Sequence, residues 1–335
     1  MNKLSLFNGM SVGRIALEEH GADIGTYYAS EVDKYAIHAA QTLYPNTVQL
    51  GDVTKWREWN IDWSSIDLVT GGFPCQAWSV AGKQLGDKDE RGMLFWTMLD
   101  IMKHVRCHNP KAHFMIENVK MKKEFEQYIT THTENALGHV YKILINSALV
   151  SAQNRNRYYW TSFEVEQPED KGVLLKDIIE NDIVNRDKSF CIDANYFKGG
   201  DLKRYFEKRR RQLVFELKSI NHRVVDVTIT DNGVRPHKGD ARKSGISELG
   251  RLFFFDSEKT YTVIASHAPK LIDELGYRKL TPRECMRLQT IPERHINTLL
   301  NAGISNTQLY KMAGNAWTME VIKHILKQRQ KNEYK

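Results

Sequence analysis

The sequence predicts an α/β fold with a doubly wound, Rossmann-like sheet and a second, smaller domain. Three observations lead to this prediction. A short apolar run, residues 4–7, is followed by a turn that contains glycine and then by a helical pattern, which is how nucleotide-binding α/β folds begin. Two further short apolar runs each end in an acid, at Glu31 and at Asp52. A later basic region differs in composition from the rest of the chain and is the candidate for the second domain.

The remaining elements follow from local patterns in chain order. Core spacing of apolar residues predicts a helix that opens at 91–96 and runs to about Arg106, and a second helix from about 122 to 137. Strands are expected over 114–116 and 141–149. Thr281, Pro282 and Glu284 are the cap, first helical residue and capping-box acid of a further helix, in which Cys285 is expected to pack. An amphipathic helix is expected to run to residue 326.

Length and composition are those of a globular protein with an anionic partner. The 335 residues can bury a large core and form two lobes, with 41% hydrophobic and 27% charged residues. The formal net charge is +7, and nine Lys or Arg against three acids lie between Lys198 and Arg223. Apolar residues at helical spacing predict an amphipathic helix with a cationic face over 203–220. A solvated surface helix that binds nothing is the alternative.

Several classes of protein are disfavoured by the cysteine and histidine patterns and by the absence of long apolar runs. The four cysteines are widely separated, which argues against a disulfide framework and for a reducing, cytoplasmic setting. No apolar run has the length of a membrane span, and the opening apolar run is too short for a signal peptide. A group of residues at 104–113 has a superficially metal-like spacing, but without a second ligand cluster we expect no metal site there; it comprises His104, Cys107, His108 and His113.

The first turn suits a nucleoside cofactor that has no phosphates. A phosphate site needs more glycine than residues 8–13 contain, and Arg14 is the one cation nearby. Glu31 is placed for the ribose hydroxyls and Asp52 for the adenine amino group. S-adenosylmethionine fits this pattern, whereas NAD, the usual ligand of such a turn, does not.

Three polar stretches carry the candidate chemistry. Residues 71–79, Gly-Gly-Phe-Pro-Cys-Gln-Ala-Trp-Ser, follow an apolar run, so Cys75 is presented at a strand end rather than packed. Glu117 ends the next strand, where a protonated carboxyl could bind a ring nitrogen; a surface acid that caps a helix is the alternative. Arg155 and Arg157 are two residues apart in an extended segment and so could face one site, unless this is a strand edge with solvated arginines.

Together these stretches resemble the cytosine-5 DNA methyltransferases, in the order in which that family carries its motifs. The resemblance covers about 1–162 and 278–326 and rests on the cysteine loop, on Glu-Asn-Val at 117–119, on Gln-x-Arg-x-Arg at 153–157, on 281–292 and on Gly-Asn at 314–315. Trp78 stands where the family usually has phenylalanine, and Trp317 replaces an aliphatic residue. The first turn, with Ser-Val-Gly at 11–13, is similar to that of the animal de novo enzymes, while the absence of an appended regulatory domain resembles prokaryotic and phage enzymes.

The resemblance implies a role for each motif, and the last motif is expected to complete the cofactor pocket, so that the C-terminus packs beside the N-terminus. Cys75 is the nucleophile that adds to C6 of a flipped cytosine, Glu117 binds N3, Arg155 binds O2, and Asn118 and Arg157 complete the catalytic set. Residues 1–162 and 278–335 form the catalytic domain and 163–277 the target recognition domain. The residues expected to bind S-adenosylmethionine are Phe7, Asn8, Gly9, Ser11, Gly13, Glu31, Val32, Asp52, Val53, Pro74, Leu94, Asn315, Ala316 and Trp317. Those expected to contact duplex DNA are Gln76, Ser79, Gln153, Lys208, Arg209, Arg210 and Arg211.

The expected activity is methyl transfer to C5 of cytosine in a specific DNA sequence, by a monomeric enzyme. An RNA cytosine-5 methyltransferase is the alternative with the same chemistry, although a long variable region with its own basic segment favours duplex DNA. A catalytically inactive DNA-binding relative is a second alternative, and the complete set of Cys75, Glu117 and Arg155 argues against it. An NAD-dependent dehydrogenase is a third, and it would need the phosphate turn that this sequence lacks.

Overall fold

A seven-stranded sheet of order β3-β2-β1-β4-β5-β7-β6 is the frame of the computed structural model. The structure describes residues 1–74, 92–182, 184–200, 205, 208–216, 227–230, 233–236, 251–252 and 276–333. The strands of this sheet are β1 (Asn2–Leu6), β2 (Tyr27–Ser30), β3 (Val48–Gly51), β4 (Ile66–Gly71), β5 (His113–Val119), β6 (Tyr141–Asn146) and β7 (Asn156–Thr161). The described helices are α1 (Val12–Glu19), α2 (Lys34–Leu43), α3 (Met93–His108), α4 (Lys123–Leu137), α5 (Pro282–Leu288), α6 (Glu293–Leu300), α7 (Asn306–Asn315) and α8 (Met319–Glu333).

The predicted doubly wound α/β sheet is confirmed, with one feature that the sequence did not indicate. Strands β1 to β5 pair in parallel. The inner strands β1, β4 and β5 are mostly buried, whereas β3 at the edge of the sheet is partly exposed. Strand β7 instead pairs antiparallel with both β5 and β6. In this register Val119 faces Arg157, so the start of β7 lies beside the end of β5.

Helices on the two faces of the sheet form two apolar cores. One core joins α1, α5, α7 and α8 and includes Ile15, Tyr310 and Val321. The other joins α3 and α4 to the sheet through Phe95 and Ile129. The expected packing of the C-terminus against the N-terminus is confirmed, because α8 contacts α1. No helix among the described residues has both the length and the apolar character needed to cross a membrane.

The segment after β7 packs into the first core. Phe163, Leu175, Ile192 and Tyr196 are buried there beside the C-terminal helices. The contact is closest at Gly314 in α7, where a Cβ atom would stand 2.2 Å from the carbonyl carbon of Asp193. Glycine is therefore required at 314 by the approach of another backbone. The predicted boundary between the catalytic domain and the target recognition domain, at residues 162 and 163, stays a prediction.

The predicted helix over 203–220 is wrong over its second half. Leu213–Glu216 is a strand, β8, that pairs antiparallel with β12 (Gly276–Lys279). Leu213, Val214 and Phe215 are all buried, because tertiary pairing with a distant segment overrides the local helical spacing. The short strands β9 (Val227–Thr230), β10 (Gly233–Pro236) and β11 (Arg251–Leu252) form a separate three-stranded sheet.

Most local predictions elsewhere hold. The capping box of α5 is present, with Glu284 N–H donating to Thr281 Oγ1 and Thr281 N–H to Glu284. Cys285 is fully buried in this helix, as expected of a packing residue. The strand expected over 141–149 ends at Asn146 and gives way to a 3-10 turn, Ser147–Leu149, which the Asn146 side chain caps.

Lys3 of β1 is a buried cation without a local partner. It is 0% exposed, and Nζ has no hydrogen-bond partner in the part of the chain that the structure describes. Burial, with a smaller effect of the Arg329 guanidinium, lowers the pKa of Lys3 from 10.5 to about 7. The folded state therefore resists protonation of this amine more than the unfolded chain does.

Lys3→Met is expected to stabilise the protein at neutral pH. The unfolded chain binds this proton below about pH 10 and the folded protein only below about pH 7, so the cost of Lys3 grows as pH falls between these values and then levels off. We expect a gain on the order of 4 kcal/mol near pH 7 and about half of that near pH 9. Urea denaturation at both pH values measures it. An equal gain at both would show that packing, not protonation, is responsible.

Candidate active site

A cavity of about 380 Å³ opens at the carboxyl edge of the parallel strands. The ends of β1, β2, β3 and β5 line it, together with the end of α7. Every residue expected to bind the cofactor lines this cavity except Ser11 and Gly13, which lie behind its wall. Four of the expected catalytic residues line it as well, namely Glu117, Asn118, Arg155 and Arg157. Cys75, Gln76 and Ser79 lie outside the described residues.

The first turn has an unusual backbone that its own side chains hold. Phe7, Gly9 and Ser11 have φ angles of 54°, 56° and 66°, in the left-handed region that only glycine adopts without strain. The Asn8 amide donates to Ser11 Oγ over 2.7 Å, and the Asn8 N–H donates to the Ser30 carbonyl over 3.0 Å. The turn is thereby fixed against β2 and presents its backbone to the cavity.

The acids at the ends of β2 and β3, Glu31 and Asp52, accept hydrogen bonds from the backbone on the same side of the cavity. Glu31 accepts from Gly9 N–H over 2.8 Å through Oε2, and from Val32 and Asp33 N–H through Oε1. Asp52 Oδ1 accepts from the N–H and hydroxyl of Thr54, each over 2.9 Å, and so caps the following turn. Each carboxylate has lone pairs left over, because an ionised carboxylate has about four acceptor positions.

The cation nearest to the first turn faces away from the cavity. Arg14 is buried, donates to Thr47 Oγ1 over 2.8 Å and to Asn46 Oδ1 over 2.7 Å, and lies over the Tyr44 ring. Lys311 lines the cavity but is paired with Asp33 over 2.6 Å. Among the described residues that line the cavity beside this turn there are acids and no unpaired cation, since the buried Lys3 amine behind Gly13 does not line it, which fits a nucleoside without phosphates.

Glu117 is the centre of the second half of the cavity. Its carboxylate is nearly buried, with Oε1 3.0 Å from Arg157 Nε and Oε2 accepting from Trp317 Nε1 over 3.1 Å. Asn118, the next residue, donates from its amide to the Phe73 carbonyl over 3.1 Å. The end of β5 is thereby tied to the segment that leads into the cysteine loop.

The structure gives the two arginines different surroundings. Arg155 is 3% exposed and donates to Ile192 O, Cys191 Sγ, Gly314 O and Ala316 O over 2.9 to 3.3 Å. Burial, then the neighbouring Arg157, lower the pKa of Arg155. Arg157 instead lies against Glu117. Both line one cavity, as expected, but the O2 contact that the sequence assigned to Arg155 would require a guanidinium that is already bound to four protein groups.

The described residues that were expected to contact DNA differ in their exposure. Gln153 is 0% exposed, accepts from Ile192 N–H over 2.9 Å and therefore has no surface available to DNA. Lys208, Arg209 and Arg210 are exposed, whereas Arg211 is half-buried and donates to the Gly199 carbonyl over 2.7 Å. The basic side chains thus remain candidates for phosphate contacts.

Two features of the site were missed by the sequence analysis. Trp317 contacts Glu117, and the Cys191 thiol lies 3.3 Å from Arg155 Nη1. Burial raises the pKa of Cys191, but the Arg155 and Arg157 guanidiniums outweigh it, so the pKa is lowered overall. No local signal marks either feature, because both partners come from distant parts of the chain.

Of the four described residues of the group at 104–113, only His104 and His108 pack against each other, with ring centroids 4.3 Å apart. His104 packs between Trp56 and Trp63, with ring centroids 5.1 and 4.8 Å away, and Cys107 is exposed. Among the described residues no group of three or more His, Cys, Asp or Glu is arranged to hold a metal ion.

Comparison with known proteins gives a family and a fold. Residues 1–331 match the model of the C-5 cytosine-specific DNA methylases. The type II methyltransferase M1.ScrFI of Lactococcus lactis subsp. cremoris is 31% identical over 96% of this chain and 76% of its own. The type II methyltransferase M.HhaI of Haemophilus parahaemolyticus is 27% identical over 96% and 92%. A mutant of DNMT2 from Spodoptera frugiperda, at 19% identity, superposes with a TM-score of 0.59 over 98% of both chains, which shows the same fold.

Proposed function

Because the chain belongs to the C-5 cytosine-specific DNA methylase family, we propose that it transfers a methyl group from S-adenosylmethionine to C5 of a flipped cytosine in a specific duplex DNA sequence. One observation carries the proposal. Glu31 and Asp52, suited to an adenosine, line the same cavity as Glu117 and Arg157, suited to a cytosine. Similarity to type II methyltransferases supports a place in restriction and modification of DNA.

The first half of the cavity would hold the cofactor. Glu31 is placed to accept from the ribose hydroxyls, Asp52 from the adenine amino group, and Val32, 70% exposed beside Glu31, to contact the adenine ring. When bound there, S-adenosylmethionine supplies an electrophilic methyl group. The protein's part is to orient the nucleoside by these strand-end groups and to cover the cavity with the end of α7.

The second half would act on the base. A cytosine inside a duplex cannot present its ring carbons to a thiol, so it must leave the stack at a cost of a few kcal/mol. The Cys75 thiolate adds to C6, which raises the electron density at C5. Glu117 in its protonated form donates to N3, and we assign O2 to Arg157 rather than to Arg155, because Arg157 lies against Glu117 while Arg155 is held by backbone carbonyls. After transfer, loss of the C5 proton expels Cys75.

The basic segment would supply affinity for DNA without sequence information. Lys208, Arg209 and Arg210 are exposed near β8, and contacts of such side chains with phosphates release counterions. We propose that the region from 163 to 277 reads the target sequence and that the enzyme acts as a monomer.

Single-base sequencing of methylated cytosines tests the function. DNA from cells that express the protein is expected to carry 5-methylcytosine at one short recurring sequence, and DNA from cells expressing Cys75→Ser is expected to carry none there. Competition between duplex DNA and transfer RNA in a purified methylation assay separates the two substrates. Methylation of RNA alone would contradict the proposal.

The acids at the strand ends are expected to control cofactor affinity. Glu31→Ala and Asp52→Asn should each weaken S-adenosylmethionine binding by roughly 5- to 150-fold, since one hydrogen bond to a charged group contributes about 1 to 3 kcal/mol. Isothermal titration calorimetry measures this affinity.

Asp52→Asn is the better controlled of the two variants. Asparagine keeps the oxygen that accepts from Thr54 and replaces only the second oxygen with a donor, so the cap of the following turn is preserved. Glu31→Ala also removes the acceptor for Gly9 N–H, and its thermal stability must be checked. Unchanged affinity in a folded Asp52→Asn protein would remove Asp52 from the cofactor site.

A further inference from the structure

We infer that Trp317 is a positioning residue for Glu117: its indole N–H holds one carboxylate oxygen in the orientation from which Glu117 meets the cytosine. The inference rests on the proposed function. Trp317 follows α7, far from β5 in sequence, yet its Nε1 donates to Glu117 Oε2 over 3.1 Å. No other residue of the C-terminal segment is hydrogen-bonded to the carboxylate among the described residues.

The two oxygens of Glu117 are held by two different donors. Arg157 Nε lies 3.0 Å from Oε1, while Trp317 takes Oε2. Two donors from different elements fix the plane of a carboxylate, whereas one would leave it free to rotate about its last bond. Glu117 is therefore aligned before a base arrives, and the energy of aligning it is not taken from substrate binding.

The surroundings leave Trp317 little room to move. A Cβ atom on Gly72 would stand 2.8 Å from Glu117 Oε2 and 3.0 Å from Trp317 Nε1, so this hydrogen bond occupies the place of a side chain at 72. A Cβ atom on Gly13 would stand 3.1 Å from Trp317 Cζ3. The indole thus fits over two glycines, one in α1 directly behind the first turn and one just before the cysteine loop.

The ring also lies between the two halves of the cavity. It lines the same cavity as the first turn and reaches the acid of the base-binding half. A residue in this place holds Glu117 by a contact that an aliphatic side chain cannot make, because the contact requires an N–H donor.

Trp317→Phe tests this inference, because phenylalanine keeps an aromatic ring and removes only the donor. We expect methylation turnover to fall about 5- to 30-fold. In a Glu117→Ala background the same substitution should cost less than about twofold further, since no side-chain acceptor is left for the indole N–H to orient. Trp96→Phe, the same change in a ring that packs against Tyr128 and His132, is the matched control and should stay within about twofold of wild type.

The hydrogen bond between Trp317 and Glu117 can also be observed by NMR, without an activity assay. In NMR spectra of protein labelled with nitrogen-15 at its seven tryptophans, the indole N–H resonance that disappears in Trp317→Phe belongs to Trp317. Glu117→Gln should change the chemical shift of this resonance and leave that of Trp96 in place. A resonance that Glu117→Gln leaves unchanged would overturn the inference, as would a loss of turnover that is equally large in both backgrounds. If wild type methylates no cytosine, the proposed function fails, and the resonance alone still decides whether Trp317 holds Glu117.

Discussion

Replacing Cys75 with serine is expected to lower turnover by a factor of roughly 1,000 or more, because a serine hydroxyl is far less ionised than a thiol near neutral pH. Binding of unmodified DNA should persist, since the basic segment is untouched. Methylation kinetics and a DNA-binding assay on the same preparation measure both. Cys107→Ser, a change at an exposed cysteine of α3, is the matched control and should be as active as wild type.

A DNA duplex with fluorine at C5 of the target cytosine tests the covalent step directly. The enzyme can leave only if C5 carries a removable proton, so the fluorinated base should trap the protein when S-adenosylmethionine is present, and Cys75→Ser should abolish the trap. The cross-linked peptide is expected to contain Cys75. A peptide that contains Cys191 instead would be the most informative contradiction, because Arg155 and Arg157 lower the pKa of that thiol beside the same cavity.

Arg155→Met is expected mainly to lower the stability of the protein, and Arg157→Met mainly to lower its turnover. Removing the Arg155 guanidinium leaves the carbonyls of Gly314 and Ala316 without their side-chain donor and leaves the Ile192 carbonyl with only the Cys191 thiol at 3.5 Å. We expect this to cost about 3 to 5 kcal/mol in the free energy of unfolding. Removing Arg157 should cost about 1 to 2 kcal/mol in the free energy of unfolding and lower turnover about 100-fold or more, since its guanidinium lies against Glu117 and is the group to which we assign O2 of the base.

Urea denaturation measures the stability of both variants, and single-turnover kinetics measures their methyl transfer. Together they separate a role in stabilising the fold from a role in contacting the base. The decisive comparison is turnover at equal fraction folded. If Arg155→Met is as stable as wild type and inactive, while Arg157→Met retains activity, the sequence-based assignment of O2 to Arg155 is right and the one made from the structure is wrong.

The sequence was most informative where local chemistry decides the structure. The capped start of α5 depends on Thr281, Pro282 and Glu284, all within one turn, and the structure has each of them as expected. The cavity edge was predictable for the same reason, because Glu31, Asp52 and Glu117 each follow an apolar run and parallel strands end at one edge.

The sequence was least informative where distant segments meet. Two arginines two residues apart look alike in an extended segment, and only the approach of Ile192 and Gly314 gives Arg155 surroundings different from those of Arg157. The helix expected over 203–220 fails because β12, from another part of the chain, pairs with Leu213–Glu216. The Trp317 contact likewise joins residues that no local pattern connects.

The contact between Gly314 and the 193–194 peptide has a mechanical consequence. Helix α7 and this segment touch backbone to backbone, and Arg155 bridges them by donating to both Ile192 and Gly314. Any motion that separates the 192–194 segment from α7 would have to break both of these contacts. We therefore expect residues 192–194 to move together with α7 as one rigid unit, although the two segments are far apart in the chain.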